Sequence, residues 1–252
     1  MLEVTLLAVL QGVAEFLPIS SSGHLVIAQN MMGVNEPGMR LDMFLHLGTL
    51  AAIFAYYART VVRLAGDIGS RATWVYLAKI AASAVPAVVV YALFKEHIEA
   101  MFESTATVGA FLMFTGAVVS GTRYIPQGTK SVGFFRAVAM GLAQALALLP
   151  GVSRSGMTLA AARALGVSGA SAAEFSFLMS APLIAGGALL EVLKSPAPGE
   201  MQIGWGLLVY GAVLAAAVGY VSLALLVKTL NGRGFWLFGP YCFVAGILAF
   251  AL

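Results

Sequence analysis

The sequence predicts an all-α, polytopic membrane protein: six transmembrane helices plus two re-entrant helix hairpins in an inverted-topology repeat. Three observations lead there. The 252-residue chain is 60% hydrophobic and only 10% charged, with a mean hydropathy of +0.93, whereas soluble domains carry roughly a quarter charged residues. Its apolar runs approach the length of about twenty residues that a helical span needs, rather than the roughly ten alternating residues of a barrel strand. Finally, the two polar stretches that interrupt these runs are copies of each other.

The first hairpin is expected over residues 2–33, an apolar region broken by EFLPISSSGH, Glu15 to His24. Each arm is too short to span. Pro18 ends the incoming helix, and the serine run suits the N-cap of the outgoing one. Spans are expected at 42–58, 75–94 and 105–122. The second hairpin, 132–166, is broken by LLPGVSRSGM, Leu148 to Met157, and spans at 171–193, 203–227 and 235–252 follow. Irregular backbone at membrane depth is tolerated only inside protein or along a wet cavity, so both tips should be buried. Residues 1–252 then form a single membrane domain with an internal repeat, 1–122 and 132–252.

The repeat has a constant register. Ser20, Ser21, Ser22 and Gly23 recur as Ser153, Arg154, Ser155 and Gly156 at an offset of 133, and Gln11 recurs as Gln144. The segment beginning at Asp42 aligns with that beginning at Glu174 at an offset of 132. Three spans per half is an odd number, so the second half must be inverted, and such repeats place their site near the midplane where the halves meet.

Charge orients the chain. Residues 59–79, 123–136, 163 and 228–233 hold ten basic groups (Arg59, Arg63, Arg71, Lys79, Arg123, Lys130, Arg136, Arg163, Lys228 and Arg233) and one acid, Asp67. The opposite side holds Arg40, Lys95 and Lys194 against Glu3, Glu36, Asp42, Glu96, Glu99, Glu103, Glu191 and Glu200. The positive-inside rule makes the first side cytoplasmic. Both termini lie outside, the first hairpin dips in from outside and the second from the cytoplasm. Residues 1–17 lack the basic start of a cleavable signal and are expected to belong to the fold. The lack of a dense basic cluster argues against a nucleic-acid partner, and the single cysteine, Cys242, excludes an internal disulfide.

Two opposed helix N-termini rich in Ser and Gly make an anion site for which phosphate is the natural ligand. Arg154 adds a permanently charged, bidentate fork. Ser21 and His24, three residues apart at a helix start, share a face and form the minimal pair for nucleophilic attack with proton transfer. Glu15, one turn from Gln11, is placed to tune His24, to pair with Arg154 or to help hold a cation. A serine in a membrane helix usually bonds a nearby carbonyl, but hydrophobic spans rarely assemble Glu, Ser, His and Arg without function. Asp42 and Glu174 are expected to cap helices, His46 to be structural and His97 to be solvated.

EFLPISSSGH followed by PGVSRSG, with the HLGTL and AAEFSFL segments, resembles the bacterial undecaprenyl-diphosphate phosphatases, also known for bacitracin resistance. The resemblance covers nearly the whole chain. It implies hydrolysis of the C55 isoprenyl diphosphate to the monophosphate, recycling the lipid carrier of cell-wall synthesis at the bacterial inner membrane. It also implies six spans plus two re-entrant pairs. By that pattern Gln11 and Glu15 match the (Glu/Gln)-x-x-x-Glu motif, Ser21 the proposed nucleophile, Ser22 its hydroxylated neighbour and His24 the essential histidine. Ser153, Arg154 and Gly156 match the phosphate-binding motif, and Ser20, Gly23 and Ser155 complete the two tips. A divalent cation, Mg or Ca, is implied, with Glu15 its only nominated contact, and so is a homodimer among membrane lipids. Two mechanisms are expected from this pattern: Ser21 attacks with His24 as its general base, or His24 is the nucleophile and Ser21 a phosphate ligand. The alternative, from the inverted repeat, is a lipid-phosphate flippase or anion transporter using the same tips.

Overall fold

The computed structural model describes residues 1–32, 39–193, 203–232 and 234–250. Residue 33, at the end of the expected first hairpin, lies outside these, as do the link 194–202, residues 251–252, and Glu36, Lys194, Glu200 and Arg233 of the charge pattern. The described residues are helical almost throughout, with one isolated bridge, Lys130 to Val167, in place of any strand.

The chain opens with α1 (Leu2–Ala14) and α2 (Ser21–Met31), followed by α3 (Met39–Tyr56) and α4 (Ala58–Gly66). Next come α5 (Arg71–Met101) and α6 (Thr105–Gly121). A second short pair, α7 (Phe134–Leu146) and α8 (Arg154–Ala164), precedes α9 (Gly169–Leu193), α10 (Trp205–Asn231) and α11 (Phe238–Ala249). Ser70 and Ser104 cap α5 and α6 by accepting hydrogen bonds from Thr73 N (3.1 Å) and Thr107 N (3.2 Å). Each such cap is worth about 1 kcal/mol. Pro86 and Pro182 lie within α5 and α9.

Among the described residues, four helices are long and apolar enough to cross a membrane: Arg71–Met101, Thr105–Tyr124, Gly169–Leu189 and Trp205–Asn231. A fifth crossing is reached if Arg40–Tyr56 and Ala58–Gly66 count as one. The protein is therefore a multi-pass, all-helical membrane protein. Two expected spans differ from the sequence-based outline. The one placed at 42–58 ends at Tyr56, where the chain bends by 75°. The last begins as a 3-10 turn, Phe235–Leu237, and its apolar helix, Phe235–Ala249, is shorter than a span.

Packing follows a paired pattern. Helix α1 lies along α10, and α7 lies along α5. Both contacts are close because glycine faces backbone. A Cβ on Gly12 would stand 2.9 Å from the Ala215 carbonyl, and one on Gly141 would overlap the Ser83 backbone. Small residues permit such approach where lipid offers no hydrophobic drive between helices. The largest buried cluster joins Phe16, Ile53, Phe175, Phe177, Met179 and Leu223. A second, built from Val4, Leu7, Leu25, Leu41, Leu45 and Leu208, closes the opposite end.

The basic loops share one end of the molecule. Lys79 donates to Val132 O (2.9 Å), Arg136 to Leu165 O (3.3 Å), Arg163 to Ile125 O (2.9 Å) and Gln127 to Gly232 O (2.6 Å). Because Arg136 begins α7 and Leu165 follows α8, that pair leaves and returns at the same end. Its tip therefore points inward.

Candidate active site

The two tips meet in the middle of the fold. Ser20 caps α2 by accepting from Gly23 N (3.3 Å), and Ser153 caps α8 by accepting from Gly156 N (3.1 Å). The repeat extends to the side chains, since Ser20 Oγ lies 3.3 Å from Ser22 Oγ and Ser153 Oγ 3.2 Å from Ser155 Oγ. Ser155 Oγ donates across to Leu17 O (3.1 Å), tying one tip to the other. Thr115 of α6 receives Ser153 N (3.0 Å) and donates to Gly151 O (2.9 Å), which holds the second tip against its neighbour. Gly151 has φ +91°, a conformation that favours glycine.

The copies differ in one respect. Ser20 has φ +69°, whereas Ser153 has an ordinary φ of −75°. A left-handed non-glycine residue costs on the order of 1–3 kcal/mol and needs surroundings that enforce it. Here Ser20 O receives both the backbone N–H of His24 (3.2 Å) and its ring Nδ1 (2.8 Å).

One carboxylate organises the site. Glu15, at the C-terminal end of α1 and 7% exposed, pairs through Oε1 with Arg154 and accepts through Oε2 from Ser21 Oγ (2.6 Å). Gln11 Nε2 donates to Oε2 as well (3.2 Å), and His46 Nε2 stands 3.8 Å from it. Ser21 and Arg154 are repeat equivalents, each the first residue of its helix. The first turns of two opposed helices thus grip the two oxygens of one side chain.

A cavity of about 220 Å³ opens beside this cluster. Glu15, Ser20, Ser21 and Ser22 form one wall, Ser153 and Arg154 the other, and Leu183 and Ile184 of α9 the apolar side. Two further cavities share His46 with it. One, of about 620 Å³, runs from Ser22 past Gln29 and Asp42 to Glu103. The other, of about 300 Å³, follows Leu183, Ile184, Gly187 and Ala188.

Several expectations about single residues need correction. His24 does not face Ser21. Its ring lies flat against Tyr241 of α11 (centroids 5.6 Å apart, planes at 9°), and Nε2 is 2.8 Å from the Tyr241 hydroxyl. With Nδ1–H donated to Ser20 O, Nε2 accepts from Tyr241, so neither nitrogen is directed at the Ser21 hydroxyl. His46, expected to be structural, donates from Nδ1 to Asp42 O (2.7 Å) in keeping with that, and it also borders all three cavities. Asp42 lies in the first turn of α3, as expected of a helix-capping acid, and accepts weakly from Gln29 (3.4 Å); Glu174 lies beyond the first turn of α9 and accepts instead from Thr60 Oγ1 (3.1 Å). Gln11, Gly23, Ser155 and Gly156 support the tips from behind rather than line the cavity.

Sequence reasoning missed three residues here: His46, Tyr241 and Gln144, which also lines the cavity. Gln144 had a signal in its register with Gln11, and His46 in its position one turn beyond Asp42. Tyr241 had none, because only the fold brings α11 to the first tip.

The donor set does not fit a resident metal. Among the described residues no group of three or more His, Cys, Asp or Glu is placed to hold one. Glu15, the carboxylate at the tips, is already engaged by Arg154, Ser21 and Gln11.

Residues 4–248 match the family model described as bacitracin resistance protein BacA. The chain belongs to the BacA family. It is 37% identical to the undecaprenyl-diphosphatase of Desulforapulum autotrophicum, over 96% of this chain and 95% of that one. It is 39% identical to the enzyme of that name from Geobacter metallireducens, over 97% and 95%. The one from Pelotomaculum thermopropionicum is 36% identical over 99% and 96%. The BacA match thus spans both tips and all the helices between them.

Proposed function

We infer that the chain hydrolyses undecaprenyl diphosphate to the monophosphate, releasing phosphate and recycling the lipid carrier of cell-wall synthesis. The observation that carries this is the meeting of Ser21 and Arg154 on Glu15 at a buried cavity, in a chain of this family. The transport alternative is not favoured, because the relatives above are named for hydrolysis.

The terminal phosphate is taken up by Arg154, which has donors left over from Glu15, and by the amides of the α2 and α8 N-termini. Glu15 Oε2, 2.6 Å from the Ser21 hydroxyl, is the group placed to receive its proton. Ser21 Oγ attacks the terminal phosphorus, an Oγ–P bond forms, and the bridging P–O bond breaks with the lipid monophosphate as leaving group. Water then attacks the phosphoserine, phosphate leaves and the proton returns from Glu15 to Ser21. His46, 3.8 Å from Glu15, lies where a proton can pass to the wider cavity. His24 positions the tip through Tyr241. Such chemistry depends mainly on alignment and charge stabilisation.

The lipid tail leaves between α3 and α9, along Leu183, Ile184, Gly187 and Ala188. The larger cavity ends at Asp42 and Glu103, on the acid-bearing side, which supports access from outside a bacterial inner membrane with the basic loops in the cytoplasm. The parallel packing of α1 on α10 and α7 on α5 supports an inverted repeat. In that arrangement α1–α2 and α7–α8 are re-entrant, and α3 and the shorter α11 stand in the places of the remaining two of six spans. A divalent cation, Mg or Ca, arrives with the diphosphate, since such ions are commonly held by substrate phosphates and few carboxylates. The chain acts as a homodimer.

The test is phosphate release from an isoprenyl diphosphate by purified protein in detergent, where no gradient exists. Turnover by the wild type and none by folded Ser21→Ala or Arg154→Ala is expected. A folded wild type without turnover under any cation would return the lead to transport.

A further inference from the structure

Gln144 closes the last turn of α7, is 2% exposed and borders the cavity shared by Glu15, Ser21, Ser153 and Arg154. Neither its Nε2 nor its Oε1 has a hydrogen-bond partner among the described residues. The repeat explains how this arises. In the first hairpin Gln11 donates to Glu15, four residues on (3.2 Å). In the second, the residue four on from Gln144 is Leu148, which offers nothing to an amide. Native proteins pair nearly all buried side-chain polar atoms, and an amide with neither end satisfied calls for a reason.

We propose that Gln144 is a further catalytic residue of the hydrolytic site: its Nε2 donates to a non-bridging oxygen of the terminal phosphate, and its Oε1 orients the attacking water. The inference rests on the cavity being the phosphate site. The chemistry of a primary amide fits this pair of ligands. It presents donor and acceptor side by side, as an anionic oxygen and a water molecule require. Being neutral, it adds a contact to the phosphate without drawing Arg154 away from it. A glutamine that orients water is a known solution in phosphoryl transfer. The geometry also accounts for the asymmetry between the copies. One glutamine braces the carboxylate, while its equivalent keeps both ends free for substrate.

The experiment compares wild type, Gln144→Leu and Arg154→Ala as full chains in detergent. It reads kcat and KM for an isoprenyl diphosphate, and thermal unfolding with and without inorganic pyrophosphate. Gln144→Leu should lower kcat by about tenfold or more, weaken the stabilisation by pyrophosphate, and melt no lower than wild type without it, because it removes unsatisfied polar atoms. Gln144→Asn, which keeps the amide but withdraws it by one methylene, supplies the same comparison if the leucine variant is not recovered. Turnover within twofold of wild type, or a melting temperature that falls in step with activity, would overturn the proposal. If Arg154→Ala is inactive while Gln144→Leu is fully active, only the role of Gln144 fails. If Arg154→Ala is active, the cavity is not the phosphate site and both fail.

Discussion

Ser21 Oγ donates a 2.6 Å hydrogen bond to Glu15 Oε2. The other oxygen of that carboxylate is held by Arg154, which comes from the second half of the chain. The proposed nucleophile and the proposed phosphate ligand therefore meet on one carboxylate, the proposed base.

Replacing Glu15 by Gln retains an oxygen near Ser21 but removes the proton acceptor. Its kcat should fall by about 10²–10⁴, while the protein remains folded by thermal unfolding. A Glu15→Gln protein with wild-type turnover would remove Glu15 from the role of base.

In the proposed mechanism His24 acts through its contacts with Ser20 and Tyr241. Tyr241→Phe keeps the stacked ring and removes the 2.8 Å hydrogen bond. It should cost about 0.5–1.5 kcal/mol of stability and leave turnover within about threefold of wild type, since a lost bond of that size need not reach the reacting atoms. A collapse of turnover with unchanged melting would instead place His24 in the chemistry.

The second tip depends on glycine where it meets α6, and the first where it meets the second. A Cβ on Gly151 would overlap the Val108 carbonyl, and φ of +91° disfavours any side chain there. Gly151→Ala should cost on the order of 1–3 kcal/mol or more, read as a lower melting temperature, with activity lost as the tips separate. Gly23→Ala, whose Cβ would stand 3.0 Å from Gly151 Cα, should be milder. Equal effects would argue against this account of the contact.

Cation binding should depend on substrate. Titrating purified protein with Mg or Ca should give no thermal stabilisation alone, and stabilisation should appear once pyrophosphate is added. Stabilisation by the metal alone would indicate a resident site.

The sequence carried the tips because their signal is local. Pro18, the serine caps and Arg154 each act within a turn of their own position, and a constant offset of 133 marked the two as partners. Among its readings of Glu15, beside tuning His24 and holding a cation, was the pairing with Arg154 that the structure shows. The sequence did not reveal which way His24 points. Spacing puts Ser21 and His24 on one helical face, but the left-handed Ser20 and the stacked Tyr241 turn the imidazole aside. Both are tertiary effects. The bend after Tyr56 and the shortness of the last helix were equally hidden, because apolar composition runs straight through both. His46 was undervalued for a related reason: its partner Glu15 lies on another helix, 31 residues away in the chain.

The most direct test of the account is to trap the covalent intermediate. Purified protein would be mixed with an isoprenyl diphosphate labelled in its terminal phosphate, quenched in acid and mapped by peptide. Acid-stable label on Ser21, absent from Ser21→Ala, is the predicted result. Acid-labile label on His24, or full turnover by Ser21→Ala, would contradict it.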